Sequence, residues 1–248
     1  MEPYRAETYG ERIAGIYDDW YGEYDEATVE ALCELAQGGR ALELGIGTGR
    51  VALPLQQRGV EVHGIDASEA MLARLRAKPG GERIPVTVGD FADVAVEGEF
   101  SLVYVLVNTF FGLLTQDEQV RCFESVARHL RDGGTFLIEA FVPDLTRFDG
   151  GQAVRAIRVG NDEVRFEVSQ LDPASQQVTS QQVALTEEGV RLYPVKIRFA
   201  WPSELDLMAR LAGLELRQRW DSWQRTTFTK ESSKHISVYG RAQTPPAR

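Results

Sequence analysis

Only two cysteines and three histidines occur among the 248 residues of this chain. Cys33 and Cys122 each sit inside a helix-like segment, so buried structural thiols are expected rather than a disulfide or a metal pair. His63, His129 and His235 form no metal-ligand spacing, and no metal is expected. No apolar run approaches the roughly 20 residues that a membrane-spanning helix needs. The first residues, Met1-Glu2-Pro3-Tyr4-Arg5-Ala6-Glu7, do not read as a signal peptide. A cytoplasmic location without a membrane partner is therefore expected. Basic residues number 27 against 37 acidic ones, and a formal net charge of -10 would repel phosphate backbones, which disfavours a nucleic-acid partner. Neither an internal repeat nor an interdomain linker is visible. With 43% hydrophobic residues, the chain can bury a full core as one domain with a subdomain.

The densest signal is Ala41-Leu42-Glu43-Leu44-Gly45-Ile46-Gly47-Thr48-Gly49-Arg50, an apolar run with one acid that breaks into three alternating glycines. A second strand-like run, Val60-Glu61-Val62-His63-Gly64-Ile65-Asp66, ends in an acid. Strand, glycine loop, helix, strand and acid in that order describe how a doubly wound sheet grips a nucleoside at the carboxyl ends of its strands. A dinucleotide fingerprint would need a small residue where Arg50 stands, so that the helix could pack close to the strand. Glu43, two residues before the first glycine, would also repel a pyrophosphate and suits a cationic ligand. A nicotinamide oxidoreductase is kept as an alternative on the glycine loop alone.

This pattern resembles the first motif of the class I S-adenosylmethionine-dependent methyltransferases, and further elements follow in that family's order. Pro85-Val86-Thr87-Val88-Gly89-Asp90-Phe91 is similar to its third element, and Phe100-Ser101-Leu102-Val103-Tyr104-Val105-Leu106-Val107-Asn108-Thr109 to its fourth. Leu130-Arg131-Asp132-Gly133-Gly134-Thr135-Phe136-Leu137-Ile138-Glu139 reads as a helix end, a Gly-Gly turn and another strand. The resemblance covers residues 12 to 142 well and the remainder loosely. It implies S-adenosylmethionine as cofactor. Gly45, Gly47 and Gly49 would approach its amino-acid end, and Asp66, with the adjoining Ala67, would hold the ribose hydroxyls. Asp90 would accept from the adenine amino group, and Met71 would touch the adenine. Phe91 is read either as core or as an adenine-facing wall. Leu106 and Val107 would lend backbone groups near the cofactor amine. Glu43 binds the cofactor through water or backbone amides, or it caps or pairs with a nearby arginine.

The fold expected is α/β: a doubly wound, Rossmann-like, mostly parallel seven-stranded sheet with an antiparallel edge strand and an inserted antiparallel β-sheet. Helix-like stretches cover residues 12 to 21 and 26 to 36, then 50 to 57, 68 to 77 and 115 to 130. From about 152 the texture changes to hairpins, with strands at 152 to 159, 163 to 171, 177 to 186 and 190 to 200. A helix capped by Ser203 runs to about 212, and strands at 215 to 223 and 235 to 241 close the sheet. By parts, residues 1–40 form a helical lid, 41–142 and 201–242 the cofactor-binding core, and 243–248 a tail. Residues 143–200 form an insertion that covers the active site or joins two subunits, and a homodimer through it is the hypothesis.

A sulfonium is already an activated methyl donor, so the protein must chiefly align a nucleophile and keep water out. No histidine stands directly after the fourth strand, and the Asn-Pro-Pro-Tyr-type tetrapeptide of exocyclic-amine modifiers does not occur. Asn108 and Tyr21 are the candidate catalytic residues. Asn108 ends the fourth strand beside the expected methyl position, or serves as a structural amide for the loop. Tyr17 and Tyr21, one helical turn apart, either pack in the core or place Tyr17 against the methionine carboxylate and Tyr21 over the substrate. Glu139 is structural or binds an ammonium-bearing acceptor. Phe110 and Phe111 are candidate substrate contacts, with core packing as the default for them and for Phe141, Trp201 and Trp223. The reading is methyl transfer to a small-molecule acceptor, an amine or aromatic natural product, with N- ahead of O- and C-methylation. A non-catalytic cofactor-binding subunit is the remaining alternative.

Overall fold

The computed structural model describes residues 4–22 and 24–242. Three helices, α1 (Thr8–Ile13), α2 (Tyr17–Tyr21) and α3 (Glu26–Ala36), precede the first strand. Strand and helix then alternate as β1 (Ala41–Leu44), α4 (Ala52–Gln57), β2 (Val62–Asp66), α5 (Glu69–Arg76), β3 (Val86–Val88), β4 (Phe100–Val105), α6 (Gln116–His129) and β5 (Leu130–Phe141). Four further strands follow, β6 (Gln152–Val159), β7 (Glu163–Asp172), β8 (Gln177–Thr186) and β9 (Gly189–Arg198). The chain closes with α7 (Pro202–Leu211), β10 (Leu214–Trp220) and β11 (Lys234–Arg241). The expected tail at 243–248 lies outside the described residues. No helix among them is long and apolar enough to cross a membrane.

The main sheet has the order β10-β11-β5-β4-β1-β2-β3. Strands β1 to β5 pair in parallel, while β11 runs antiparallel to β5 and to β10 at the edge. Every residue of β1 and β4 is buried, as their continuous apolar runs require for strands covered on both faces. On one face α3, α4 and α5 supply Leu32, Leu55 and Leu75; on the other α6 and α7 supply Phe123, Val126, Leu205 and Met208. From β1 the chain winds outward to β3, then returns to place β4 on the opposite side of β1. That reversal opens a crevice between the carboxyl ends of β1 and β4, where ligands of such sheets bind.

Strands β6 to β9 form a separate antiparallel meander in chain order. Buried Arg198 ties it to the core, its guanidinium bonding Gln119 of α6 at 2.5 Å and Glu204 of α7 at 2.7 Å. Three local expectations are corrected. The stretch 12 to 21 is not one helix but two, because the chain breaks at Ile16, whose ψ of 1° is not helical. Ser203 is not the cap of α7; Trp201 occupies that position with no side-chain cap, and Pro202 starts the helix at its first position, where a missing N–H costs nothing. The Gly133-Gly134 pair is no separate turn, since β5 begins directly after α6 and the glycines sit at its register shift against β4.

Candidate functional site

Gly45, Gly47 and Gly49 all lie in the left-handed region, with φ of 74°, 55° and 74°. The loop folds back on β2: the Gly45 and Ile46 amides donate to the Ile65 carbonyl at 2.8 and 3.0 Å. A Cβ on Gly45 would collide with Thr109 Cγ2 and come within 3.8 Å of the Phe91 ring, so the loop, the end of β4 and Phe91 converge there. A Cβ on Gly47 would stand 3.3 Å from Met71 Cε. Asp66 anchors the arrangement, accepting from the Gly47 amide through one oxygen and the Ser68 amide through the other, both at 2.8 Å. Ser68 in turn caps α5.

Two acids therefore sit beneath the loop in poor contact with water. Burial pushes the Asp66 carboxyl above its ordinary value, although bonds from the Ser68, Gly47 and Ala67 amides oppose the shift. Glu43 is 6% exposed and accepts from the Tyr104 hydroxyl at 3.0 Å. Desolvation raises it to about 8, against that bond and the charge of Arg50. The arginine or cap partner weighed for Glu43 is thus replaced by a buried phenol. Asp90 is exposed and caps the short turn Phe91–Asp93 through the Ala92 amide, the turn-acid arrangement. Phe91 is half-buried against the core beneath it.

Helices α1 and α2 close over the loop. Thr48 Oγ1 donates to Asp18 at 2.6 Å, and Lys78 pairs with the same carboxylate at 2.7 Å. Glu11 accepts from Ser68 Oγ at 2.8 Å and from the Ala70 amide at 3.0 Å, joining α1 to the start of α5. Tyr17 and Tyr21 share a face, as their spacing predicted, with ring centroids 4.8 Å apart. Arg50 stands 6.0 Å from the Tyr17 ring centre and donates to the Tyr21 carbonyl. Burial raises the Tyr17 phenol to about 12, so it stays a neutral donor. The Tyr21 hydroxyl is 2.9 Å from that of Tyr9. Trp20, also on α2, meets Tyr193 of β9 edge to face at 4.8 Å and lies beneath the Arg165 guanidinium.

At the end of β4, Leu106 is buried and Val107 is 46% exposed. Asn108 Oδ1 accepts from the Phe141 amide at 2.7 Å, which uses the oxygen to stitch β4 to β5. Glu139 faces the same corner and bonds Trp223 Nε1 at 3.1 Å and the Val107 amide at 3.3 Å. The expectation that Phe110 and Phe111 contact substrate is corrected: both are fully buried, packed edge to face on Phe123 and Phe141. Each buried ring adds roughly 1.5–3 kcal/mol to the core instead. Among the default core aromatics, Trp201 is the exception, at 38% exposure. Cys122 is buried as expected, whereas Cys33 is half-buried.

A family model for the methyltransferase domain matches residues 41–134, from the start of β1 to the glycines in β5. The cypemycin N-terminal methyltransferase of a Streptomyces species is 30% identical over 208 residues, 82% of this chain and 84% of that one. The solved CcbJ methyltransferase of Streptomyces caelestis is 40% identical, with a TM-score of 0.90 over 97% of this chain and all of its own. The chain is a class I S-adenosylmethionine-dependent methyltransferase. A third relative, the dTDP-4-amino-2,3,4,6-tetradeoxy-D-glucose N,N-dimethyltransferase of Saccharopolyspora spinosa, is 26% identical over 75% of this chain and 78% of its own. Membership overturns the nicotinamide alternative.

Sequence reasoning overlooked several groups that shape this methyltransferase's cleft. Tyr9, Glu11, Asp18 and Thr109 reach it from far along the chain, and no spacing rule links Asp18 to Thr48 or Gly45 to Thr109. Arg50 was noticed as the residue a dinucleotide site excludes, and its position against Tyr17 and Tyr21 supplies a positive reason for it.

Proposed function

We propose that the methyltransferase moves the methyl group to the nitrogen of a small-molecule amine, with catalysis mainly by positioning. The observation that carries this reading is that each imidazole is committed elsewhere. His63 contacts Glu61 and Arg40, His129 bridges the Ser125 and Val96 carbonyls, and His235 is fully buried beside Ser237. An amine that arrives neutral needs no dedicated base, whereas a phenol or alcohol gains from one. The cypemycin enzyme, named as an N-terminal methyltransferase, and the amino-sugar enzyme, named as an N,N-dimethyltransferase, support the same choice. S-adenosylmethionine, when bound, supplies an already activated methyl group. The chain fits it: left-handed glycines leave the loop backbone open at the switch point, and Glu43 is a buried acid with a phenol rather than a cation as its partner.

In this reading Tyr17, the Gly45–Gly49 loop and the Leu106 and Val107 backbone hold the amino-acid end. Asp66 and Ala67 hold the ribose, and Met71, Asp90 and Phe91 border the adenine. Tyr21, oriented by Tyr9, faces the acceptor, and Asn108 fixes the β4 loop rather than moving a proton. Helices α1 and α2 act as the lid that excludes water. Mass spectrometry of an incubation with S-adenosylmethionine and matched panels of amines and phenols tests the proposal. Methyl gain confined to amines is expected; gain confined to phenols would sink it.

The outer face of the four-stranded sheet supports a homodimer. Val159, Val164, Leu185 and Val190 form one row across all four strands, and Ala156, Phe166, Val183 and Leu192 the next. Val154, Val159, Val190 and Leu192 are each more than half exposed, at 72, 79, 63 and 54%. In the two adjoining rows, Val154, Val168, Gln181 and Pro194, then Gln152, Gln170, Thr179 and Lys196, only Lys196 is charged. A face with two apolar rows side by side and a single charge is what two packed sheets bury.

A further inference from the structure

Val107 holds a backbone conformation that a β-branched residue adopts only under constraint. Its φ is 49°, and Asn108 follows at 66°, so two consecutive non-glycine residues are left-handed at the switch point. The Val107 side chain is 46% exposed, so packing of that side chain is a poor candidate for the constraint. The bonds come instead from β5. The Asn108 amide donates to the Glu139 carbonyl at 3.1 Å, and the Val107 amide to Glu139 Oε2 at 3.3 Å. The other carboxylate oxygen, Oε1, accepts from Trp223 Nε1 at 3.1 Å and lies 3.5 Å from Lys234 Nζ. Trp223 is 6% exposed, so the indole gives the carboxylate a fixed bearing, while half-exposed Lys234 balances its charge from the rim.

We propose that Glu139 is a positioning residue: its carboxylate, oriented by Trp223, locks the strained Val107–Asn108 turn and so fixes the acceptor side of the cleft. This takes the place of a direct contact between Glu139 and the acceptor. Only the link to methyl transfer rests on the function proposed above. A turn at the reacting corner that relaxes by a fraction of an ångström spoils in-line alignment without abolishing cofactor binding.

Site-resolved amide hydrogen exchange on the ligand-free protein tests the lock. In Glu139→Ala the Val107 and Asn108 amides should exchange roughly tenfold faster while Leu137 and Ile138 of β5 stay protected. Glu139→Gln, which still offers an oxygen, should restore protection to within about threefold of wild type. Unchanged exchange at Val107 and Asn108 in the alanine variant would overturn the proposal. If that variant opens the whole sheet, seen as exchange at Leu137 and Ile138, Trp223→Phe decides. With the carboxylate kept but unoriented, turn exchange should rise roughly threefold, and wild-type exchange would refute the lock. With an amine acceptor, Glu139→Ala should lower kcat about tenfold and by more than it raises KM for S-adenosylmethionine, because the Val107 backbone is one of several groups at the cofactor's amino-acid end, and Glu139→Gln should rescue kcat. A rise in that KM with kcat unchanged would refute the catalytic link. Failure of wild type to bind S-adenosylmethionine would sink the functional reading and leave the exchange result standing.

Discussion

Glu43 shows how a single residue couples the site to pH. Its surroundings are Tyr104 from β4, Arg50 from the loop, Asp66 from β2 and Tyr17 from α2, and burial dominates, raising the carboxyl from 4.5 to about 8. A raised folded-state value means that the neutral acid's contribution is fully present below 4.5 and is lost as pH rises through about 8. Each unit inside that window costs up to about 1.4 kcal/mol. Glu43→Gln carries the same shape without the proton. Its melting temperature in the ligand-free state should match wild type near the acid end and exceed it increasingly toward the alkaline end; parallel curves in calorimetric melts would contradict this. His235, depressed to about 4 by burial, loses stability in the opposite direction as pH falls from 6.5, and it cancels in the comparison. The acid itself was legible because it stands inside a fully apolar run beside the glycines. Its partner was not, since Tyr104 lies 61 positions away on a strand whose order in the sheet no local pattern reveals.

At the scale of elements, the joint between the inserted sheet and the core depends on Arg198. Its side chain is 6% exposed and is shared among Gln119, Gln176 and Glu204, so it lies buried between β9, α6 and α7. Burial works to raise Glu204, but bonds from Gln176, Arg198 and Gln116 hold it below its usual range. Removing the carboxylate strands a guanidinium in the interior. Glu204→Ala should therefore cost about 3–5 kcal/mol in urea denaturation, and Glu204→Gln distinctly less; a loss under about 1 kcal/mol would mean that the joint is held by other contacts. Element boundaries were legible where local chemistry is decisive. Helix α3 starts after Asp25, whose carboxylate takes the Ala27 amide, and α6 starts with the reciprocal Thr115–Glu118 box. The hairpin strands were read to within a few residues from their turn signals. Ser203 misled because Pro202 already fixes the helix start one residue earlier. The break between α1 and α2 went unread because the apolar spacing runs on through Gly15.

For the whole molecule, the sequence revealed two kinds of β texture but not how helix α2 meets the second sheet, which depends on Trp20, Arg165 and Tyr193 converging from three segments. The seven-stranded sheet was legible because four motifs fell in order at its carboxyl ends. The outer face of the second sheet showed only as alternating valines and leucines. If that face joins two copies, wild type should elute as a dimer in light scattering at micromolar concentration, and Leu192→Glu with Val159→Glu should yield a folded monomer. A strict monomer in wild type would contradict the dimer. The central claim is that the loop at the switch point, with Asp66 beneath it, binds S-adenosylmethionine. Its most direct test is calorimetric titration of that cofactor into wild type and Asp66→Ala. The account predicts micromolar binding that the substitution weakens at least about tenfold, or about 1.4 kcal/mol. Equal affinity in both proteins would contradict it.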